Sequence, residues 1–147
     1  MAQLWGQSLA FLSWALLLLG AVAVSQPGFV GGWRDRSVSD PDVLKAAAFA
    51  AQAYNKASNS RVYFKAERIL EAKSQVVAGT KYSLTVEMVS TACEKKGGSD
   101  LENVDLDHCK MAPEGEQQKQ VCIFQVWSRS WLKDTQLLHM SCSEMTS

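Results

Sequence analysis

From Lys81 to Met88 polar and apolar side chains alternate strictly, and this pattern constrains the fold more than any other feature of the chain. A strand places successive side chains on opposite faces of a sheet, so one face of this segment is apolar and the other is polar. The apolar positions are Tyr82, Leu84, Val86 and Met88. A half-buried strand is therefore predicted here, with one face of its sheet covering a core.

A second β-prone run, which opens with Val62-Tyr63-Phe64, precedes this strand, and Gly79 lies between the two. Glycine supplies the permissive backbone that a tight reversal needs, so the two runs are predicted to form a hairpin. Its tip would be the apolar sequence Val76-Val77-Ala78, where polar residues are usual. Two interpretations of these three residues are open: a contact loop that a partner covers, or a continuation of a buried strand.

One helix is predicted before the strands. Ser39-Asp40-Pro41 is typical of a helix start, with a capping side chain followed by Pro in the first turn. An Ala-rich run with apolar residues at helical spacing follows, and Asn55–Ser60 has the composition of an exit loop. One helix followed by strands that turns connect argues for an α+β fold with an antiparallel sheet. The strand-like segments are 62–73, 80–89, 121–127 and 136–142, with a polar surface excursion over 94–119.

The first 25 residues are predicted to be a signal peptide, so the protein is expected to be secreted. The run Leu9–Val24 is apolar and ends in Ala21-Val22-Ala23, a small-x-small pattern that predicts cleavage after Ala23 or, by the same rule, after Ser25. An uncleaved anchor is the alternative, although the run is short for a membrane span. Residues 26–38, rich in Gly, Pro and Ser, are predicted to be a flexible arm, and 39–147 a single domain.

Charge and cysteine content exclude several classes of function. Fifteen basic and fifteen acidic residues cancel, so nucleic-acid binding has no electrostatic footprint. Four cysteines in a secreted chain predict a disulfide framework, and sequence cannot choose among its three possible pairings. The cysteine and histidine spacing argues against a metal site. With the cysteines paired, His108 and His139 would lack a thiol partner, so the chain is not expected to be an enzyme or to need a cofactor.

The sequence Gln75-Val76-Val77-Ala78-Gly79 resembles the Gln-x-Val-x-Gly motif of the cystatins, which are protein inhibitors of papain-like cysteine proteases. Other features follow in that family's order: the pair Gly31-Gly32, a helix, this motif, Trp131 in a late loop, and four cysteines near the C-terminus. The resemblance runs from about Phe29 to Cys142 and is strongest to the secreted type 2 cystatins. Within these, Ser58-Asn59-Ser60 and residues 75–82 are most similar to the cystatin M branch.

This resemblance implies a fold in which a curled antiparallel sheet wraps one long helix. It also implies two disulfides, between Cys93 and Cys109 and between Cys122 and Cys142. Each would close a loop of roughly 15 to 20 residues, a constraint on the unfolded chain that contributes about 3 kcal/mol.

The resemblance further implies reversible, tight inhibition by a three-part wedge. The arm around Gly31 would lie along the non-primed side of a protease cleft, with Phe29 and Val30 in apolar pockets. The tip, Gln75, Val76, Val77, Ala78 and Gly79, would fill the centre of the cleft. Trp131 would cover the primed side as a rigid aromatic anchor.

One departure from the family pattern is Ser130, which stands where type 2 cystatins usually have Pro before the loop Trp. Losing Pro frees the φ angle, so a less preorganised loop and inhibition weaker by a few-fold are expected. Polar residues on both sides of Trp131 favour its exposure. Trp127, on the strand side of the same loop, is predicted to pack instead.

Asn59 marks a second predicted site. It follows the helix in a polar loop, where cystatins that inhibit legumain, an Asn-specific protease, carry their reactive Asn. An Asn-specific pocket reads the side-chain amide through both donor and acceptor contacts. The alternative is an ordinary turn Asn.

A rival interpretation of the whole chain is a secreted cystatin-fold binding protein with weak or no protease inhibition, and Ser130 is one step towards it. The active form is expected to be a monomer with no membrane contact after signal removal. A domain-swapped dimer is the other possible state, because hairpin tips are natural hinges, and a swap through Gln75–Gly79 would bury the site.

Overall fold

The computed structural model describes residues 31–96 and 104–145. Within these ranges five strands form one antiparallel sheet in the order β1-β2-β3-β4-β5, and one α-helix packs on it. The predicted α+β fold is therefore confirmed. The predicted signal peptide, residues 1–25, and the arm residues 26–30, including Phe29 and Val30, lie outside the described residues. The elements are β1 Arg34–Asp35, α1 Pro41–Ala57, β2 Val62–Val77, β3 Gly79–Glu94, β4 Lys119–Arg129 and β5 Asp134–Glu144.

Helix α1 begins as predicted. The Asp40 carboxylate caps it by accepting a hydrogen bond from the Asp42 backbone N–H at 2.8 Å, and Pro41 takes the first helical position. The buried side of the helix consists largely of alanines, whose small side chains allow its backbone to lie close to the sheet. At its far end the Tyr54 hydroxyl donates to Gln120 Oε1 on β4 at 2.8 Å, so the helix is bound to the sheet by polar contact as well as by packing.

The core lies between α1 and the apolar face of the sheet. The four alternating positions of β3 are all buried there, as predicted, together with Phe124 and Val126 of β4. Glu87 differs from the prediction, because its polar position is only 3 % exposed. It lies opposite Arg68 in the β2–β3 register, and the two side chains form an ion pair that accommodates the buried carboxylate.

The helix exit also differs from the prediction. The segment expected to be a loop from Asn55 onwards is helical to Ala57, and Asn55 is buried. Its side-chain amide donates to Phe64 O and accepts from Phe64 N, both at 2.8 Å. The amide thus bonds to Phe64 as a neighbouring strand would, and satisfies a backbone N–H and C=O that would otherwise be unpaired in the core.

The boundary of the predicted arm, residues 26–38, is wrong in its second half. Arg34 and Asp35 form strand β1 and pair with Ser74 and Lys73 of β2. Arg36 then ties this segment down: its guanidinium binds the Asp40 carboxylate at 2.6 Å and donates to Ser74 Oγ at 3.1 Å. Arg34 and Asp35 therefore belong to the sheet, and Arg36 anchors the turn that leads to α1.

Both disulfides that the resemblance implied are present, Cys93–Cys109 and Cys122–Cys142. Together they use all four cysteines of the sequence, so no thiol remains for nucleophilic catalysis. The second bridge joins residues that lie directly opposite each other on β4 and β5. Within residues 31–96 and 104–145 the structure contains no helix with the length and hydropathy that a bilayer crossing requires.

Candidate functional site

The hairpin between β2 and β3 turns at Ala78 alone. Val77 and Gly79 form the last pair of the ladder, and Gln75 pairs with Lys81. Strand β2 does continue to Val77, but Val76 is 68 % exposed and Ala78 is exposed as well. The interpretation of this segment as a buried strand is therefore wrong. The tip therefore presents apolar side chains to its surroundings.

Gly79 is required by two features of this tip. Its φ angle of 96° lies in the left-handed region that side-chain-bearing residues rarely adopt. In addition, a Cβ atom at this position would lie 2.5 Å from Ser128 O and 2.9 Å from Arg129 Cγ. The tip is thus packed directly against the end of β4, and only glycine permits that approach.

The β4–β5 loop lies beside the tip, since Thr80 of β3 pairs with Ser128 of β4. It consists of the single 3₁₀ turn Ser130–Leu132 and of Lys133, whose φ of 50° is left-handed. Trp131 is 63 % exposed, as predicted. The neighbouring Leu132 is exposed as well, which enlarges the apolar surface of the loop.

An ion pair closes this loop at its base. Arg129 and Asp134 are opposite each other in the β4–β5 register, and Arg129 Nε donates to Asp134 Oδ2 at 3.1 Å. A second guanidinium nitrogen contacts the same oxygen. These hydrogen bonds to the Arg129 guanidinium lower the pKa of the Asp134 carboxyl below its usual value.

Trp127 links the two loops. Its indole Nε1 donates to Ala78 O, at the centre of the tip, at 2.7 Å. The Arg129 guanidinium lies over the indole ring, 4.4 Å from its centroid. Trp127 was predicted to pack, and it does pack against Arg129, but its bond to the tip is a role that sequence reasoning missed.

The segment Gly31–Trp33 runs towards the same edge of the sheet. Because β1 and β2 are antiparallel, with Arg34 opposite Ser74, each step back from Arg34 moves towards the Val77 end of β2. Gly31 and Gly32 have open space around them, and Trp33 is exposed. Sequence reasoning singled out Gly31 but missed Trp33, and the only available signal was a bulky aromatic next to the glycine pair.

Three segments therefore lie at one edge of the sheet: Gly31–Trp33, Gln75–Gly79 and Ser130–Leu132. We call them the contact edge. Their exposed side chains are mainly apolar, which is unusual for adjacent turns and marks a surface that favours contact with another molecule.

Asn59 lies at the other end of β2, in the connection from α1. It is exposed, and the backbone on both sides of it is held by hydrogen bonds. The Lys95 ammonium donates to Asn55 O at 2.8 Å and to Ser58 O at 2.9 Å, and the Lys95 backbone N–H donates to Arg61 O at 2.7 Å. Burial lowers the pKa of Lys95. Sequence reasoning did not connect Lys95 with this loop.

The two histidines lie outside both regions. His108 is exposed in the 3₁₀ turn Leu106–His108 and pairs with Asp105, and His139 is exposed on β5. In the described part of the chain, no three His, Cys, Asp or Glu side chains come together as a metal site.

Residues 31–131 match the Cystatin domain family. A cystatin of Naja kaouthia is 49% identical over 129 residues, covering 88% of this chain and 89% of that protein. Cystatin-1 of Crotalus adamanteus is 42% identical over 134 residues, covering 91% and 94% of the two chains.

Solved structures agree with this match. Dimeric human cystatin F has a TM-score of 0.73 at 28% identity, covering 84% of this chain and 94% of that one. A salivary cystatin from the soft tick Ornithodoros moubata, at 20% identity, shares the fold with a TM-score of 0.63, covering 77% and 97% of the two chains.

Membership follows from the extent of these matches, since the family match covers more than half of the chain and several relatives are almost half identical over most of their length. Cystatins are inhibitors of cysteine proteases and not enzymes. The two disulfides fit an extracellular protein. On this evidence the chain belongs to the cystatin family.

Proposed function

We propose that this cystatin is a secreted, reversible, tight-binding inhibitor of papain-like cysteine proteases, and that its contact edge fills the cleft of the enzyme. Papain-like proteases hold their catalytic Cys at the bottom of a cleft, so an inhibitor must fill the cleft without presenting a well-placed peptide carbonyl. The observation that carries the proposal is the exposure of Val76 and Trp131, 68 % and 63 %, on adjacent turns of one sheet edge.

The expected driving force is the removal of apolar surface from water. Full burial of a side chain such as Val76 contributes about 1.5–3 kcal/mol, and tryptophans such as Trp131 are the residue type most enriched among binding hot spots. The carbonyl of Ala78 is already occupied, since it accepts from Trp127 Nε1. A tip whose central carbonyl is bonded within the inhibitor is a poor substrate, which supports reversible binding without cleavage.

The direct test is inhibition of a papain-like protease by the mature chain and by variants of the contact edge. We expect Val76→Asp and Trp131→Ala each to weaken inhibition by about thirtyfold or more, the size of a hot-spot loss of 2 kcal/mol. Leu44→Asp is the matched control, because Leu44 is exposed on α1 and an acidic residue in the first turn of a helix is not destabilising.

The result of this assay also decides the rival function. If the folded, monomeric protein shows no inhibition and the variants behave like the parent, the chain is a cystatin-fold binding protein without inhibitory activity. Gel filtration before the assay is needed, because a swap that opens the hairpin at Ala78 would merge β2 and β3 and remove the tip.

Secretion and the role of the arm are part of the same proposal. The signal peptide of residues 1–25 would direct export, and the arm around Gly31 would then lie along the non-primed subsites with Phe29 and Val30. N-terminal sequencing of the exported protein tests the cleavage site. Removing the residues before Gly31 should weaken inhibition without changing thermal stability, since β1 starts only at Arg34.

A second, separate activity is proposed for Asn59, namely inhibition of legumain. It is supported by the exposure of Asn59 in a loop whose backbone Lys95 holds in place. The finer placement in the cystatin M branch, which also rests on Ser58-Asn59-Ser60, stays a prediction.

A further inference from the structure

We propose that Trp127, Arg129 and Asp134 form a bracket inside the free inhibitor, which holds the β2–β3 tip and the Trp131 loop together as one preformed surface. In this chain the bracket takes over the positioning role of the Pro that usually precedes the loop Trp. Its consequence for inhibition rests on the proposed function, whereas the bracket itself rests on contacts within the monomer.

The first part of the bracket joins the two turns. Trp127 Nε1 donates to Ala78 O at 2.7 Å, so a β4 side chain holds the one residue at which the β2–β3 hairpin reverses. Gly79 brings the backbone of the tip so close to Ser128 that a Cβ would be 2.5 Å from its carbonyl oxygen. The tip therefore cannot move far without breaking its contact with β4.

The second part fixes the loop and the indole together. The Arg129 guanidinium lies 4.4 Å from the Trp127 ring centroid and also binds the Asp134 carboxylate. One planar side chain thus holds the ring of Trp127 and both ends of the loop that carries Trp131. A lysine would keep the charge but lose the planar stacking and the double contact.

The backbone explains why the bracket and a proline would be alternatives. Arg129 has φ −117° and ψ 87°, outside the α-helical region that a following Pro disfavours but below the ψ range of about 120–160° that is usual before Pro, and residue 130 begins a 3₁₀ turn in which the φ of Pro is allowed. Ser130→Pro should therefore fit after a small increase of the Arg129 ψ angle. Since the loop is already held, Pro should add little in this chain, in place of the few-fold effect expected from the sequence alone, and it should add more once the bracket is removed.

A double-mutant cycle of Arg129 and Ser130 variants, measured by protease inhibition, tests whether the bracket replaces the Pro. We expect Arg129→Ala to weaken inhibition of a papain-like protease by about tenfold, and Arg129→Lys by less. Ser130→Pro should change inhibition by less than about twofold in the native background and recover about threefold or more in Arg129→Ala. Equal effects of Ser130→Pro in the two backgrounds would overturn the proposal.

A readout without protease separates this inference from the proposed function. Hydrogen exchange of the Trp127 indole N–H, followed by NMR, should be slow in the free protein and faster in Asp134→Asn and Arg129→Ala. Glu67→Gln is the matched control, because it removes an ion pair with Lys119, at 3.2 Å, outside the contact edge. Unprotected exchange in the native chain would refute the bracket, and a protected indole in a protein that does not inhibit would refute only the proposed function.

Discussion

The two ends of strand β2 present different kinds of exposed surface. At the Val77 end the exposed side chains are apolar, and the backbone is held by a tryptophan donating to Ala78 O. At the Val62 end the exposed residues include Asn59, and the backbone is held by a lysine donating to Asn55 O and Ser58 O. Both ends use a side chain that is distant in sequence to fix a short loop.

The two ends differ in the kind of contact by which a partner would bind them. An apolar surface binds by removing water, and the loss of one anchor such as Trp131 should weaken binding by about thirtyfold. A single amide that a pocket must recognise by donor and acceptor contacts discriminates steeply, because losing it leaves polar groups of the pocket unpaired. One chain can therefore present a tolerant surface and a selective one.

The largest expected effect concerns Asn59, at the Val62 end of β2. Asn59→Ala should weaken legumain inhibition by about a thousandfold or more, because the recognised amide is lost. Inhibition of a papain-like protease should not change. Gln52→Ala, which removes an exposed amide from α1, is the control. Equal legumain inhibition by Asn59→Ala and the parent protein would remove the proposed second site.

At the Val77 end of β2, the substitution with the largest expected effect on inhibition and stability is Gly79→Ala. The left-handed φ and the clash with Ser128 O predict a loss of about 1–3 kcal/mol in the free energy of unfolding and weaker papain-like protease inhibition by about a hundredfold. Legumain inhibition should persist, since that loop is at the other end of β2. Gly115→Ala is the matched control, because its Cβ position is open. Retained inhibition in Gly79→Ala would show that the geometry of the tip does not matter.

Removing the Lys95 ammonium, which holds the backbone of the Asn59 loop, should have a smaller effect. Lys95→Gln deprives Asn55 O and Ser58 O of a charged donor at the end of α1, so we expect a loss of about 1 kcal/mol in stability and legumain inhibition weakened by about tenfold. The exposed neighbour allows a control, Lys96→Gln. If both variants behave alike in the legumain assay, the Lys95 side chain does not position Asn59.

The smallest expected effect is that of acid pH on the stability contributed by the Arg129–Asp134 pair. Because Arg129 lowers the pKa of Asp134, the stabilisation from this pair is complete above the unfolded pKa near 3.9 and is lost as the pH falls through the lower folded value. Between about pH 5 and pH 7 the contact edge should therefore keep its shape. Urea unfolding from pH 7 to pH 3 checks this: the stability difference between the parent and Asp134→Asn should shrink only below about pH 4. A difference that shrinks between pH 7 and pH 5 would contradict the assignment.

The parts of the fold that follow from local pattern could be predicted. The alternation around Leu84 and Val86 identified the buried face of β3, and the cap at Asp40 placed the helix start. Gly79 located the hairpin tip, because its backbone requirement is local to the turn. Strand β2 was less regular in sequence because bulges interrupt its register near Arg68 and Leu70, and each bulge shifts the side-chain period.

The remaining features depend on residues that are distant in sequence. The pairing of Trp127 with Ala78 spans 49 positions, and that of Lys95 with Asn55 spans 40. No local pattern indicates such hydrogen bonds, so the packing of Trp127 was predicted and its partner was not. Strand β1 was missed for the same reason, since two residues of a Gly- and Ser-rich segment join the sheet only because Ser74 and Lys73 lie beside them.

Strand β2 contains 16 residues, which at about 3.3 Å per residue gives a contour of up to roughly 50 Å. If both proposed sites are active, ends separated by this length would leave room for one enzyme at each end, and a single inhibitor molecule would then form a ternary complex.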